Sequence, residues 1–296
     1  MSGAEPPATV PISVLVPTIG RVEQLQSCLA SLRACRPRPE ELLVVDQSGG
    51  GDVAAAVADF ADLGAATIAC EGRGIALATN VGLRAATSSN VLVTHDDCTV
   101  APSWLGVGHE RMAANPGAIV TGRVLAAGDS PAVPSTIDDP EPHDYTGELS
   151  VGALFANNMG LPREPVIEIG GFDERFPTAS EDNDLCWRWL RVGGRLLYEP
   201  ELVVWHHDWR GEDELERLYV RYAYSQGMFY AKHLRARDLK VLPFLTRDLY
   251  EGVRASAGGL LLRDRPRWAD RRRGIVRGMP RGLLRGWRLF RRRARG

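Results

Sequence analysis

Short apolar strands alternating with helix-patterned segments constrain this chain more than any other feature. Strand character falls at residues 12–16, 42–46, 66–70 and 91–94, and helical periodicity at 22–35, 52–63 and 74–86. In the first of these helices Leu25, Leu29 and Leu32 share one face. Strands this uniformly apolar are buried on both sides, which requires helices above and below a mostly parallel sheet. The predicted class is therefore α/β, in the order of a mononucleotide-binding half.

The fourth strand runs straight into charge, as Val91-Leu-Val-Thr-His-Asp-Asp-Cys98. Open α/β sheets place their ligand crevice at the carboxyl ends of the strands, so Asp96 and Asp97 are predicted to line it. Two adjacent carboxylates repel each other unless something positive joins them. A divalent cation carrying a phosphorylated ligand meets that need, because hard cations take oxygen ligands and bridge to phosphate. A polar turn after a strand is the competing reading of the pair.

Beyond Trp104 the pattern is less regular. A strand is predicted at 118–124, followed by a Pro- and Asp-rich loop, 129–147, expected to border a substrate site. Then come Gly170-Gly-Phe-Asp173, a helix opening at Ser180, a hairpin-like pair at 195–198 and 201–205, a long helix over 212–234 and an apolar helix over 242–262. Residues 1–10 read as a flexible start, 11–235 as the nucleotide-binding domain, and 236–296 as a helical, arginine-rich extension.

Several further groups fall at predicted element ends. Pro17-Thr-Ile-Gly-Arg21 follows the first strand and Asp46 ends the second, where a nucleoside would lie with Asp46 accepting a hydrogen bond from its base. A capping or turn role is the alternative for Asp46. In Gly72-Arg-Gly-Ile-Ala-Leu-Ala-Thr-Asn-Val-Gly82, small residues permit close helix approach, and Arg73 and Asn80 offer donors to an anion. Leu77 replaces the third glycine of the dinucleotide fingerprint, which disfavours a nicotinamide cofactor. Glu181 and Asp182 open a helix behind Ser180; they read either as acids complementing the helix dipole or as an acceptor-binding group and a general base, respectively. Val204-Trp-His-His-Asp-Trp209 places histidine at another strand end, where a neutral imidazole can complete a metal site.

Composition narrows the class. Five scattered cysteines, Cys28, Cys35, Cys70, Cys98 and Cys186, with no Cys-x-x-Cys spacing, argue against a disulfide framework or structural zinc. No apolar run is long enough for a membrane-spanning helix, and the start lacks a secretion signal, so a cytoplasmic location is expected. The formal net charge of −1 conceals segregation: 14 arginines and 2 aspartates lie from Arg263 onward. Leu283, Leu284, Trp287, Leu289 and Phe290 interleave with these arginines, as in an interfacial helix on an anionic membrane. A disordered basic tail is the alternative, since Gly274, Gly278, Pro280, Gly282 and Gly286 weaken a helix. Nucleic-acid binding is not expected, because no recognised fold for it accompanies the arginines.

Taken together the motifs resemble the family 2 glycosyltransferases of the GT-A fold over residues 11–233. Val14-Leu-Val-Pro-Thr18 is similar to the family's first strand and nucleoside-binding turn, and Leu43-Val-Val-Asp46 to its base-binding strand. Residues 74–82 resemble a G-x-A-x-A-x-N-x-G stretch, His95-Asp-Asp-Cys98 a metal motif, and Gly170-Gly-Phe-Asp-Glu174 with Glu181-Asp182 the acceptor loop and catalytic-base helix. The resemblance implies that Asp97 holds Mn²⁺ or Mg²⁺, Asp96 the donor ribose, and Asp182 the acceptor proton, with His206 as a further metal ligand. Trp209 follows at a spacing seen in galactofuranosyl-transferring members. His95 replaces the first acid of the family motif, and Thr79 stands where many relatives carry arginine.

The implied reaction is an inverting displacement, in which a nucleotide-sugar donor gives its sugar to the hydroxyl of a glycan or lipid-linked acceptor. Cell-surface glycan or glycolipid synthesis at the inner face of the membrane is the implied setting. Two other classes share the architecture. A sugar nucleotidyltransferase needs a glycine-rich basic loop that residues 17–21 do not supply, and against a non-catalytic nucleotide-sugar-binding scaffold stand Glu181 and Asp182.

Overall fold

The computed structural model describes residues 8–128, 133–146, 155–207, 212–258 and 268–290, with backbone only for 212–213, 257–258 and 268–273. It divides into two compact units, residues 1–174 with 185–208, and residues 175–184 with 209–296. By this division residues 212–235 fall in the second unit.

The first unit is α/β. In chain order it comprises β1 (Thr9–Thr18), α1 (Val22–Ala34), β2 (Arg38–Asp46), α2 (Asp52–Ala58), β3 (Ala65–Ala69), α3 (Ile75–Ala85), β4 (Asn90–Thr94), β5 (Cys98–Val100), α4 (Trp104–Ala114), β6 (Ile119–Ala126), β7 (His143–Tyr145), β8 (Asn158–Pro162), α5 (Arg163–Glu168), most of α6 (Glu181–Arg191) and β9 (Leu196–His206). β1 begins inside the segment expected to be flexible; residues 1–7 lie outside the described residues. The sheet order is β3-β2-β1-β4-β8-β6-β9-β5, with β7 also on β9. β3, β2, β1 and β4 are mutually parallel, whereas β8 runs antiparallel to both β4 and β6.

This order makes a switch point. From β1 the chain winds outward through β2 and β3, then returns to lay β4 on the opposite edge of β1. The crevice between the carboxyl ends of β1 and β4 is where such sheets bind ligands. Beneath it Ile12, Val14, Val16, Leu25, Leu29, Leu42, Leu92 and Trp104 form part of one buried cluster. Gly82 of α3 is required by packing, since a Cβ there would lie 2.9 Å from a Leu15 methyl.

One expected element is corrected. The hairpin-like pair at 195–205 is a single strand, β9, which runs parallel to β6 throughout, with a register shift between Gly122 and Arg123. A hairpin would need its halves antiparallel, and pairing to one partner in one direction excludes that. The other edge of β9 is shared by β7, opposite Leu196–Tyr198, and β5, opposite Val204–His206.

The second unit contains the first turn of α6, α7 (Glu212–Arg235), α8 (Leu242–Gly258) and α9 (Trp268–Leu289). α9 is helical despite its glycines and Pro280. Among the described residues no helix is long and apolar enough to cross a membrane.

Candidate active site

Thr18 closes β1 directly opposite Asp46 of β2, and β4 flanks β1 on the other side. The Thr18 hydroxyl donates to Asp96 Oδ2 at 2.6 Å and accepts from the Gly20 amide at 3.1 Å. Gly20 has φ of 98°, a conformation open to glycine at little cost, and it turns the chain tightly before Arg21. The Arg21 guanidinium then spans both acids, donating from Nη1 to Asp97 Oδ2 at 2.8 Å and from Nε to Asp96 Oδ2 at 3.1 Å, while Nη2 pairs with Asp96 Oδ1. The positive group joining the two carboxylates is thus supplied by the chain itself. Burial pushes the Asp96 carboxyl up, an effect that Arg21 and Thr18 only partly offset.

His206 arrives from a strand more than a hundred residues later. In the β5–β9 ladder it lies opposite Cys98, beside Asp97. Its Nδ1 is 2.8 Å from the Pro134 carbonyl, which can only accept, so Nδ1 carries the proton. The other ring nitrogen, Nε2, lies 3.7 Å from Asp97 Oδ1. Burial works against charge on Asp97, but His206 and then Arg21 outweigh it and hold that carboxyl well below the usual range. Pro134 belongs to the loop expected near a substrate site; residues 129–132 and 147–154 lie outside the described residues.

Ligand atoms of Asp97, Cys98 and His206 all lie within 4.8 Å of one another. Burial raises the Cys98 thiol well above its ordinary value, and its sulfur sits 3.8 Å from Asp97 Oδ1, so it is placed as a weak donor to the carboxylate. The remaining carboxylate and imidazole suit a divalent cation such as Mn²⁺ or Mg²⁺ completed by ligand oxygens. Buried polar atoms point to a missing partner: Thr94 Oγ1, His95 Nε2 and Asn157 Oδ1 have no hydrogen-bond partner among the described residues. Burial brings His95 down to about 4, so it is neutral near pH 7 and adds no charge where the family motif has an acid. The part played by Cys98 was missed from sequence, because only the strand register sets it against His206.

The other predicted residues are placed as follows. Asp46 is buried, and its Oδ1 accepts from the Ser48 amide at 2.8 Å, the turn role weighed as its alternative. Gln47 Oε1 accepts from the Gly74 amide at 2.7 Å, ahead of α3, and Arg73 is exposed. Where a ligand donor was expected, Asn80 instead clasps the loop before residue 175: Nδ2 donates to the Phe172 carbonyl and Glu174 Oε1, both at 2.8 Å, and Oδ1 accepts from the Phe172 amide at 2.9 Å. Trp209 lies outside the described residues.

In the second unit, the Ser180 carbonyl accepts the first helical bond, from Asp184 at 2.9 Å, while its hydroxyl donates to Gln226 at 3.2 Å. Glu181 is buried and its Oε2 has no hydrogen-bond partner among the described residues. Burial first, then the charge of Asp182, pushes its carboxyl far above the usual range, so it favours the neutral acid. Asp182 is half-buried and accepts from the Asn183 amide at 2.7 Å. Asp184 is fully buried beneath Lys232 Nζ at 2.6 Å and His233 Nε2 at 3.0 Å.

The curled α/β sheet with its flanking helices is a GT-A fold. Residues 13–158 match the family model Glycosyl transferase family 2. Its curated relatives include the pre-mycofactocin glycosyltransferase of two Mycobacterium tuberculosis strains, 29% identical over 216 residues that cover 66% of this chain and 42% of the relative. The chain thus spans about two-fifths of the length of those relatives. Among solved structures, the mannosyltransferase PcManGT from Pyrobaculum calidifontis, in complex with GDP-Man and Mn²⁺, superposes with a TM-score of 0.65 at 19% identity, covering 94% of this chain and 89% of its own. S. aureus TarS 1-349 in complex with UDP-GlcNAc superposes with a TM-score of 0.55 at 14% identity, covering 76% of this chain and 71% of its own.

Proposed function

We propose that the protein transfers a sugar from a nucleoside-diphosphate sugar to the hydroxyl of a glycan or lipid-linked acceptor, with inversion at the anomeric carbon and at the inner face of a membrane. The observation that carries the reading is the convergence of Thr18, Arg21, Asp96, Asp97 and His206 in one cluster at the carboxyl ends of β1 and β4, the switch point of the sheet. Two proteins of similar fold, one solved with GDP-Man and Mn²⁺ and one with UDP-GlcNAc, support a nucleotide-sugar donor.

In this reading Asp46, Arg73 and Asp96 bind the nucleoside and ribose side of the donor, and Asn80 holds the acceptor-side loop beneath them. Asp97 and His206 would hold a divalent cation, which would supply counter-charge to a diphosphate leaving group. Arg21 contacts both acids and is 20% exposed, so it can turn to a ligand phosphate when Asp97 gains another partner.

Asp182 takes the proton of the acceptor hydroxyl as the acceptor's oxygen bonds to the anomeric carbon, while the bond from that carbon to the diphosphate breaks and the nucleoside diphosphate leaves on the opposite face. Support comes from its neighbour: a neutral Glu181 cannot accept a proton, but its acid O–H can donate to a substrate hydroxyl. Trp209 stays in this proposal on the acceptor side. Asp182→Asn is expected to lower transfer by ~10²–10⁴ while leaving the donor's thermal stabilisation, with Mn²⁺ present, unchanged. Equal loss of donor binding and turnover would remove Asp182 from the base role.

A further inference from the structure

Glycine recurs in α9 at every fourth residue, as Gly274, Gly278, Gly282 and Gly286. These four lie on one helical row, and all are buried. A Cβ on them would come within 2.8 Å of the Tyr219 carbonyl oxygen, 2.2 Å of that of Val220, 1.9 Å of that of Tyr224 and 2.8 Å of the Ala231 Cβ. The row is therefore pressed against the backbone of α7. Gly227 of α7 answers it, since a Cβ there would be 2.3 Å from the Met279 carbonyl oxygen.

That contact fixes which way the rest of α9 faces. Opposite the glycines, Val276, Pro280, Leu284 and Trp287 recur at helical spacing along a single stripe. Val276 is 42%, Leu284 62% and Trp287 49% exposed, and Pro280 is exposed too. One residue after each stands an arginine, Arg277, Arg281, Arg285 and Arg288, making a second stripe beside the first. Arg277 pairs with Glu216, and the other three are exposed. Arg235 of α7 adds a cation over the Trp287 ring, 4.8 Å from its centroid. No acidic residue occurs from Gly274 to Phe290.

We propose that this row of α9 docks on an anionic phospholipid bilayer, with Val276, Leu284 and Trp287 entering the headgroup–acyl boundary and Arg281, Arg285 and Arg288 meeting lipid phosphates. Charge decides the occupant. Guanidinium groups alone would suit a nucleic acid, but the adjoining apolar stripe has no counterpart on a phosphate backbone. An anionic bilayer accepts both stripes at once, the apolar one at the acyl boundary and the cationic one at the phosphates. The proposal names the surface for the membrane part of the reading above, on which it rests, and it is tested without sugar transfer.

The full chain is sedimented with vesicles of equal parts phosphatidylglycerol and phosphatidylcholine, and with vesicles of phosphatidylcholine alone. It is expected to pellet with the first only, and less so as salt rises. Leu284→Ser combined with Trp287→Ser is expected to lower partitioning at least tenfold with an unchanged circular dichroism spectrum. Arg281→Gln, Arg285→Gln and Arg288→Gln together are expected to remove the salt dependence, and they report on the same face should the first pair misfold. A wild type that stays in the supernatant overturns the proposal. So do variants that bind as the wild type does, loss only on deleting residues 291–296, or tighter binding to duplex RNA than to the anionic vesicles. Nucleoside diphosphates are screened by thermal shift in vesicle-free buffer alongside: a donor response without vesicle binding condemns the surface, and vesicle binding without a donor response condemns the transfer reading.

Discussion

Each unit buries a carboxylate among cations, and the two clusters are built to different ends. In the second unit Asp184 is fully buried and receives both Lys232 and His233, all on helices. In the first, Asp96 and Asp97 follow a strand end and pair with a partly exposed Arg21 and with His206, while Thr94 Oγ1, His95 Nε2 and Asn157 Oδ1 are buried without hydrogen-bond partners among the described residues. A matched buried charge secures structure, whereas a charged cluster near buried polar atoms that lack partners is a candidate for ligand binding. The contrast teaches that burial alone does not mark a site. What marks it is unfinished hydrogen bonding at a switch point.

Three measurements press on that comparison. The largest effect is expected at Asp184, where Asp184→Ala leaves Lys232 and His233 facing each other without their acid and costs about 3–5 kcal/mol. Chemical denaturation reads that loss, and added Mn²⁺ or nucleotide is expected to restore none of it. Arg21→Gln is expected to cost less, since the guanidinium is partly solvated, and the loss should be recovered by millimolar Mn²⁺, which takes over the joining of the acids. Calorimetry should also show Mn²⁺ binding several-fold tighter in this variant without nucleotide. If Arg21→Gln behaves like Asp184→Ala, with no recovery by metal, the two clusters are alike and the distinction fails.

The smallest effect concerns pH. The folded-state pKa of Glu181 lies above the ordinary glutamate value of 4.5, so folding favours its protonated form. Its contribution to stability is complete below that value and is lost as pH rises through the folded-state pKa. Glu181→Gln stays neutral throughout. The melting temperature of the variant relative to wild type is therefore expected to climb by a few degrees from mildly acidic to mildly alkaline buffer, and a flat difference would show that Glu181 ionises normally.

Much of the first unit was legible because its signals are local. Apolar runs at 12–16, 42–46, 66–70 and 91–94 all fall within observed strands or overlap them by four residues or more, and Asp96 and Asp97 follow β4 as expected. The failures share a cause. The sequence near 195–205 shows two apolar stretches separated by Glu199 and Pro200, and only the parallel partner β6 makes them one strand. The bonds of Asn80 to the loop at Phe172 are likewise invisible in the sequence, because the two are far apart in the chain. The glycines of α9 count against a helix by intrinsic propensity, yet at four-residue spacing they let two backbones meet, and tertiary contact overrides propensity.

By itself, then, the sequence determined which segments become strands or helices, which faces they bury, and which acids stand at the strand ends, because periodicity and turn chemistry act over a few residues. Tertiary structure alone decided that Arg21 joins the two acids, that His206 lies opposite Cys98, and that the glycine row turns Leu284 and Trp287 outward. Those outcomes depend on register and close approach between segments far apart in the chain. No local pattern of side chains encodes which distant partner will arrive.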